Sequence, residues 1–283
     1  MERGFGRVAK LVRKFLESHG YSIHLGAWVD IKRGNRLIFD FQIGHWAFFR
    51  PPRRGVPSAL YVVTEGRIPR HARAWLRGYD YLFAPSKFVG RFLEELDLDY
   101  IYMPHGVDTE HFRPMNIPKY IHVLSIGIWE SAWDDRKYMN KVCEVAFPFN
   151  CYVHTRPILP YDELPKLYNT AVVYLSLSAV EAFNIPVLEA NACGVPVVYN
   201  DAPATNEHVY GVGVKPVRVY EVIINGLPYM MHEPNLKEIR RVLHSLLKDR
   251  KRLESMSKEA REYALKFDYR RTFKPLLEVL PPP

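Results

Sequence analysis

Strand-sized apolar runs alternate with helix-patterned stretches along almost all of this chain, and the connections between them are short. Two parallel strands cannot be joined by a tight turn and need a covering crossover, so this alternation predicts parallel sheets buried on both faces. Residues 7–18 carry Val8, Leu11, Val12, Phe15 and Leu16 at three- and four-residue spacing, a helix that Gly20 stops. Strands are expected at 21–25, 36–41, 59–64, 81–84 and 99–103, with helices at 69–76 and 87–96. The pattern breaks at 113–118, which holds two prolines, and then restarts. Strands follow at 122–126, 151–154, 171–177 and 196–199, helices at 138–145, 161–168 and 186–192, and a long helical tail from Asn235 that is interrupted near Phe267. The expected architecture is two Rossmann-like α/β domains, 1–115 and 116–265, with 266–283 as a terminal helix. Ligands of such sheets bind beyond the carboxyl ends of the strands.

Charge narrows the partners. The formal net charge is +8, and residues 1–115 hold 18 Lys/Arg against 12 Asp/Glu. Arg50, Arg53, Arg54, Arg67, Arg70, Arg73 and Arg77 surround a single acid, Glu65. Such a field attracts phosphorylated acceptors, anionic lipid headgroups or nucleic acid, although each arginine alone reads equally as a solvated surface residue. No apolar run approaches the ~18 residues of a membrane span, and no leader is visible, so a cytoplasmic location is expected. Cys143, Cys151 and Cys193 cannot all pair and lack metal-ligand spacing, which excludes a disulfide scaffold and the usual zinc site.

The chemistry concentrates in residues 171–201. A buried strand is followed by Glu181-Ala182-Phe183-Asn184-Ile185-Pro186, then Glu189 and Gly194-Val195-Pro196. Asn184 suits an N-cap, Pro186 a first helical turn, and Gly194 a helix stop. The start of that helix, at the carboxyl end of a strand, favours an anion. Glu181 and Glu189 flank it and are suited to accept hydrogen bonds from the hydroxyls of a sugar and a ribose on either side of a diphosphate. An ordinary acidic first turn is the plainer reading of Glu189 alone.

Glu181 and Glu189 with the intervening Phe183 and Pro186, followed by Glu-Ala-x-Ala-Cys-Gly-x-Pro-Val-Val at 189–198, resemble the E-x7-E signature of retaining GT-B glycosyltransferases, especially glycosyltransferase family 4. Residues 104–114 resemble that family's interdomain segment, residues 162–168 the stretch before its signature strand, and residues 267–269 the start of its final helix. Glu207 lies where a third acid is usual. The resemblance implies a hexose moved from a UDP- or GDP-sugar to an acceptor with retention of configuration, across a deep cleft and with no required metal. It implies that Glu181 contacts the donor sugar, Glu189 the ribose, and the amides of Phe183, Asn184 and Ile185, beside Gly127, the diphosphate.

Where the family carries an Arg after the first strand of the second domain, this chain has Ile128, so the cation that the leaving diphosphate needs is assigned to Lys137 and Arg136. Both read equally as an exposed first helical turn. Of the family's Gly-x-Gly, Ala182 and Asn184 stand in place, and the first domain lacks room for its usual opening strand. The cleft histidine appears in register as Glu65, with His45 a nearby alternative; the two stay open. His105 reads as a packed loop residue. Asp97-Leu98-Asp99 matches a metal-binding D-x-D but lies at a helix-to-strand corner, so it reads as a surface turn. The basic first domain, beside the aromatic run 46–49, suggests a lipid-linked acceptor and peripheral attachment at the inner membrane face. A nucleic-acid-glycosylating enzyme and a catalytically degenerate binding module are the rivals.

Overall fold

The computed structural model of the chain describes residues 4–25, 29–33, 35–45, 50–127, 136–155 and 159–283. By internal contacts the chain divides into two compact units, residues 1–106 with 267–283, and residues 107–266.

Among the described residues, the first unit holds a six-stranded sheet of β1 (Ser22–Leu25), β2 (Val29–Arg33), β3 (Arg36–Gly44), β4 (Ser58–Val62), β5 (Tyr81–Ala84) and β6 (Ile101–Tyr102), in that order across the sheet. Only β3 to β6 run parallel; β1, β2 and β3 form an antiparallel meander. The sequence reading expected a parallel sheet throughout and had no strand at β2. The connections from β1 through β2 to β3 are too short for a crossover helix, so these strands can only turn back on one another. Helix α1 (Gly4–Glu17) buries Val8, Val12, Phe15 and Leu16, the expected stripe, and Gly20 ends the segment at φ +87°. The short α2 (Arg73–Leu76) and α3 (Lys87–Glu94) follow β4 and β5, and Ser86 caps α3 by accepting from Val89 N.

The second unit has a five-stranded, wholly parallel sheet of β7 (Ile121–Ile126), β8 (Cys151–His154), β9 (Ala171–Ser176), β10 (Val197–Asn200) and β11 (Gly211–Val214), in the order β11-β10-β9-β7-β8. Its helices are α4 (Val142–Ala146), α5 (Leu164–Asn169), α6 (Ile185–Ala192), α7 (Leu236–Lys248) and α8 (Arg250–Ala264). Val123, Val142, Val145, Val173, Leu175, Val198, Ile239 and Leu243 form one continuous core. Helix α6 is buried along nearly all its length, as a helix enclosed on both sides must be. Its carboxyl end is held by Arg261 of α8, whose guanidinium donates to Ala192 O and to Phe112 O and Thr109 O. Gly194 leaves α6 at φ +69°, and Ser257 Oγ donates to its carbonyl.

The proline-rich break at 113–118 falls inside this unit. Asn169 stitches it there, accepting from Met115 N at 2.7 Å and donating to Arg113 O at 2.9 Å. Two further features went unread in the sequence. Asp249 splits the expected helical tail, its carboxylate capping α8 through Arg252 N. An antiparallel hairpin, β12 (Arg218–Ile224) and β13 (Leu227–Glu233), precedes α7. Its turn, Asn225-Gly226 with φ +52° and +78°, between apolar runs is a strong local hairpin signal that was available. Cys143 and Cys151 pair as a disulfide joining α4 to β8, Cα atoms 5.5 Å apart, so one pairing exists where the sequence reading assigned none.

The chain ends in the first unit with α9 (Tyr269–Thr272) and α10 (Lys274–Val279). Phe273 meets Phe15 of α1 edge-on at 6.1 Å. A Cβ on Gly106 would lie 2.4 Å from Tyr269 Cα, so only glycine permits that approach.

Candidate active site

Of the predicted site residues of the second unit, Gly127, Arg136, Lys137 and Glu181 come together where the chain leaves β7 and β9. Glu181 leaves β9 through the irregular segment 177–184 and meets both predicted cations: Arg136 Nη1 at 3.1 Å and Lys137 Nζ at 3.2 Å from its Oε1. The side chains of Glu181 and Arg136 are each 8% exposed and that of Lys137 17%, so neither cation is the exposed first-turn residue of the plainer reading. Burial pushes the Glu181 carboxyl up, but Arg136 and Lys137, with the Ser178 hydroxyl, overcome it and hold the group at about 2. Two cations thus share one carboxylate at this end of β7. Gly127, directly after β7, lies under Lys137: a Cβ there would sit 3.4 Å from Lys137 Cδ and 3.0 Å from Met139 Sδ.

Asn184 corrects the sequence reading. It adopts the left-handed conformation, φ 75° and ψ 63°, and its side chain makes no cap bond to α6. The amide donates instead to Ser176 Oγ at 3.0 Å and Thr205 Oγ1 at 3.2 Å, tying the end of β9 to the turn that carries Glu207. The positive φ explains this, since asparagine is among the few non-glycine side chains that tolerate it. Phe183 lies flat on His208, ring centroids 3.5 Å apart and planes 7° apart, with both rings buried. Burial drives the His208 imidazole down to about 3, although carbonyls of Asn184 and Ala204 and the charge of Glu181 favour its cation. It is therefore neutral at pH 7. Ile185, at the first position of α6, is half-buried.

Glu189 is 2% exposed and accepts from Tyr168 Oη at 2.7 Å. Tyr174, whose hydroxyl donates to Ile126 O at 3.1 Å, feels both glutamates: burial and then the charges of Glu189 and Glu181 push its phenol up. The sequence reading singled out neither tyrosine. A tyrosine within an otherwise aliphatic buried strand, Tyr174, was the signal, because its hydroxyl needs a partner.

In the first unit the two open alternatives are neighbours. His45 follows β3 and Glu65 follows β4, strands paired in parallel register Gly44 to Val62. Thr64 Oγ1 lies 3.3 Å from His45 Nε2, and Thr64 also closes the turn by donating to Gly66 O. Both candidates are half-buried. His105 is packed, its Nδ1 2.8 Å from Tyr61 Oη. Asp97 is a turn residue with φ 50°, paired with Arg73 at 3.0 Å.

The arginine cluster is less bare than its sequence. Arg50 pairs with buried Asp40, Arg53 with Asp30, Arg67 with Glu95 and Arg73 with Asp97. These acids come from strands and corners outside the 50–77 window. Arg54, Arg70 and Arg77 are exposed. The aromatic run 46–49 and Ile128 lie outside the described residues. Among the described residues, no helix is long and apolar enough to cross a membrane, and no cluster of three or more His, Cys, Asp or Glu is placed to hold a metal.

Comparison with known proteins fits this geometry. Residues 153–263, which contain both glutamates and α6, match the family described as glycosyl transferases group 1. The chain is 25% identical over 200 residues to putative glycosyltransferase 41 of Sulfolobus islandicus filamentous virus, a match that spans 66% of this chain and 60% of the viral protein. Among solved structures, sucrose-phosphate synthase from Thermosynechococcus elongatus superposes with a TM-score of 0.64 at 14% identity, covering 98% of this chain and 78% of that one. Anabaena HepE, solved in complex with UDP-glucose, gives 0.62 at 13%, covering 79% and 71%. The chain thus has the GT-B fold of the glycosyltransferases, built on two Rossmann-like domains, and its residues 153–263 match glycosyl transferases group 1.

Proposed function

We propose that this protein transfers a hexose from a nucleoside diphosphate sugar to an acceptor, with retention of anomeric configuration. The observation that carries the reading is the buried Arg136–Lys137–Glu181 cluster beside Gly127. Glycosyl transfer breaks the bond between the anomeric carbon and a phosphate oxygen, and negative charge accumulates on the departing diphosphate. Cations already fixed in a low-dielectric setting stabilise that charge without reorganising when it forms. The carboxylate of Glu181 holds them in place and accepts hydrogen bonds from sugar hydroxyls. Glu189 takes the ribose, with Tyr168 orienting its carboxylate. The backbone of Phe183, Asn184 and Ile185 faces the diphosphate, its path fixed by the left-handed Asn184.

A uridine base is supported by the similarity to HepE, which was solved with UDP-glucose, and a GDP-sugar is the alternative donor. Residues 1–115 serve the acceptor, with His45 or Glu65 acting on it. The acceptor is an anionic or lipid-linked molecule met at the inner membrane face, and the exposed Arg54, Arg70 and Arg77 support that attachment. The test is a panel of UDP- and GDP-sugars scored by melting temperature and by release of the nucleoside diphosphate, since ligand that binds the folded state raises the midpoint. One nucleotide sugar should stabilise the protein and be turned over. A panel in which none does either removes the reading.

A further inference from the structure

The hairpin β12–β13 is not part of the second unit's parallel sheet, yet it touches the candidate site at both ends of the cation pair. Ala179, in the segment that leads to Glu181, lies between the two: its N–H donates to Arg136 O at 2.8 Å, and its carbonyl accepts from His232 N of β13 at 3.0 Å. Asn200, 1% exposed at the end of β10, reinforces the join. Its amide nitrogen donates to Ser178 O at 3.1 Å and to His232 O at 2.7 Å. Arg136 Nη1 closes the loop on Val180 O at 3.2 Å.

The second contact lies one residue past Lys137. Tyr138 adopts φ 50° and ψ 35°, a left-handed conformation that a bulky side chain keeps only where its surroundings enforce it. Its phenol interacts with that of Tyr220 on β12, and burial with that ring beside it pushes the Tyr138 phenol up. Tyr220 is braced in turn: the Arg218 guanidinium sits 4.8 Å over its ring and pairs with Glu233 across the hairpin. Val217 N donates to Glu233 O and closes the hairpin's base.

We propose that the β12–β13 hairpin is a positioning element for the catalytic cations, with Asn200 and Tyr220 as its two contact residues: it fixes the backbone on either side of Arg136–Lys137, so that both cations stay on Glu181 and face the diphosphate. This rests on the glycosyltransferase reading of the same cluster. Loosening the hairpin leaves the contacts of Glu189, Gly127 and α6 in place and costs the charge stabilisation that grows as the diphosphate leaves, so turnover falls more than UDP affinity.

The experiment compares wild type with Tyr220→Phe, Asn200→Ser and a variant whose residues 218–232 are replaced by a short glycine linker. The linker is feasible because Val217 and Glu233 are already paired. Calorimetric titration with UDP gives affinity, and release of UDP from UDP-glucose gives turnover. Labelling of Lys137 by an amine-acetylating reagent, read by mass spectrometry against Lys119 as internal reference, reports the cation's exposure without any activity. Tyr220→Phe and Asn200→Ser should each lower kcat about three- to tenfold, the equivalent of one hydrogen bond, with UDP affinity falling less than kcat. Lys137 should label faster in both and fastest in the linker variant. Unchanged labelling and unchanged kcat in the two point variants would overturn the inference, as would a parallel fall in kcat, UDP affinity and melting temperature, which marks a general structural role. If wild type neither binds UDP nor turns over UDP-glucose while labelling still responds as expected, the positioning stands and the uridine donor fails instead.

Discussion

The carboxyl ends of the parallel strands in the two sheets are built from different materials. The second-unit edge carries Arg136, Lys137 and Glu181 in contact with one another, all nearly buried, with a neutral His208 beneath. The first-unit edge carries His45, Thr64 and Glu65 around a turn that Thr64 closes on Gly66, and its acids and arginines pair away from that edge. One edge holds paired charges in place, and the other holds a His–Thr–Glu turn whose groups can exchange hydrogen bonds with a hydroxyl. A donor that departs as a diphosphate and an acceptor that presents a hydroxyl make just those two demands.

The comparison can be broken first with acid. Burial holds His208 at about 3, below its ordinary 6.5, so between those values the unfolded chain binds the extra proton and stability falls as pH falls. Glu181, held at about 2, adds a further loss only as pH drops from about 4.5 through 2. Over the His208 window the loss should be on the order of 4 kcal/mol. Melting temperature against pH should show a steep acid limb that flattens in His208→Phe, which keeps the stack on Phe183. An unchanged limb would mean that His208 is not held neutral.

The next largest effect is Glu181→Ala. It leaves the Arg136 cation buried without its carboxylate and should destabilise by about 3 kcal/mol, read as a lower urea midpoint at constant slope, besides reducing turnover. Glu181→Gln, which keeps the shape, should lose less stability than Glu181→Ala. Equal stability in all three proteins would place the charge compensation elsewhere.

Lys137→Ala should weaken UDP binding and slow turnover by about tenfold, a charge-assisted contact being worth roughly 1.5–3 kcal/mol. His45→Ala and Glu65→Gln should leave UDP affinity as it is, because their edge is not the charged one. If those two variants lose UDP as Lys137→Ala does, the division of labour between the edges is wrong. The smallest effect is on attachment. Replacing Arg54, Arg70 and Arg77 with Gln should reduce flotation with anionic liposomes at low salt by about 1 kcal/mol per arginine and change nothing at high salt. Flotation that ignores lipid charge would leave the acceptor's membrane setting without support.

Much of this molecule is written locally in the chain. Helix α1 follows from Val8, Val12, Phe15 and Leu16, β9 from its run Ala171-Val172-Val173-Tyr174-Leu175, and α6 from the signals at Pro186 and Gly194, because apolar spacing and capping act within a few residues. Glu181, Arg136 and Lys137, which the sequence reading brought to one site through the family resemblance, do lie in contact.

Tertiary structure decided the rest. Asn184 has the composition of a cap, but the chain enters α6 through a positive φ that turns its amide onto Ser176 and Thr205. The arginines of residues 50–77 stand almost alone in sequence and find Asp30, Asp40, Glu95 and Asp97 only after the sheet has formed. Tyr168 reaches Glu189 across 21 positions, and Asn200 reaches His232 across 32. Hydrogen bonds and ion pairs act over a few ångströms of space and carry no mark of sequence distance. Local spacing and capping thus determined most of the strands and helices and the placing of Glu181 before α6 and Glu189 within it, whereas packing alone decided which charges pair with which.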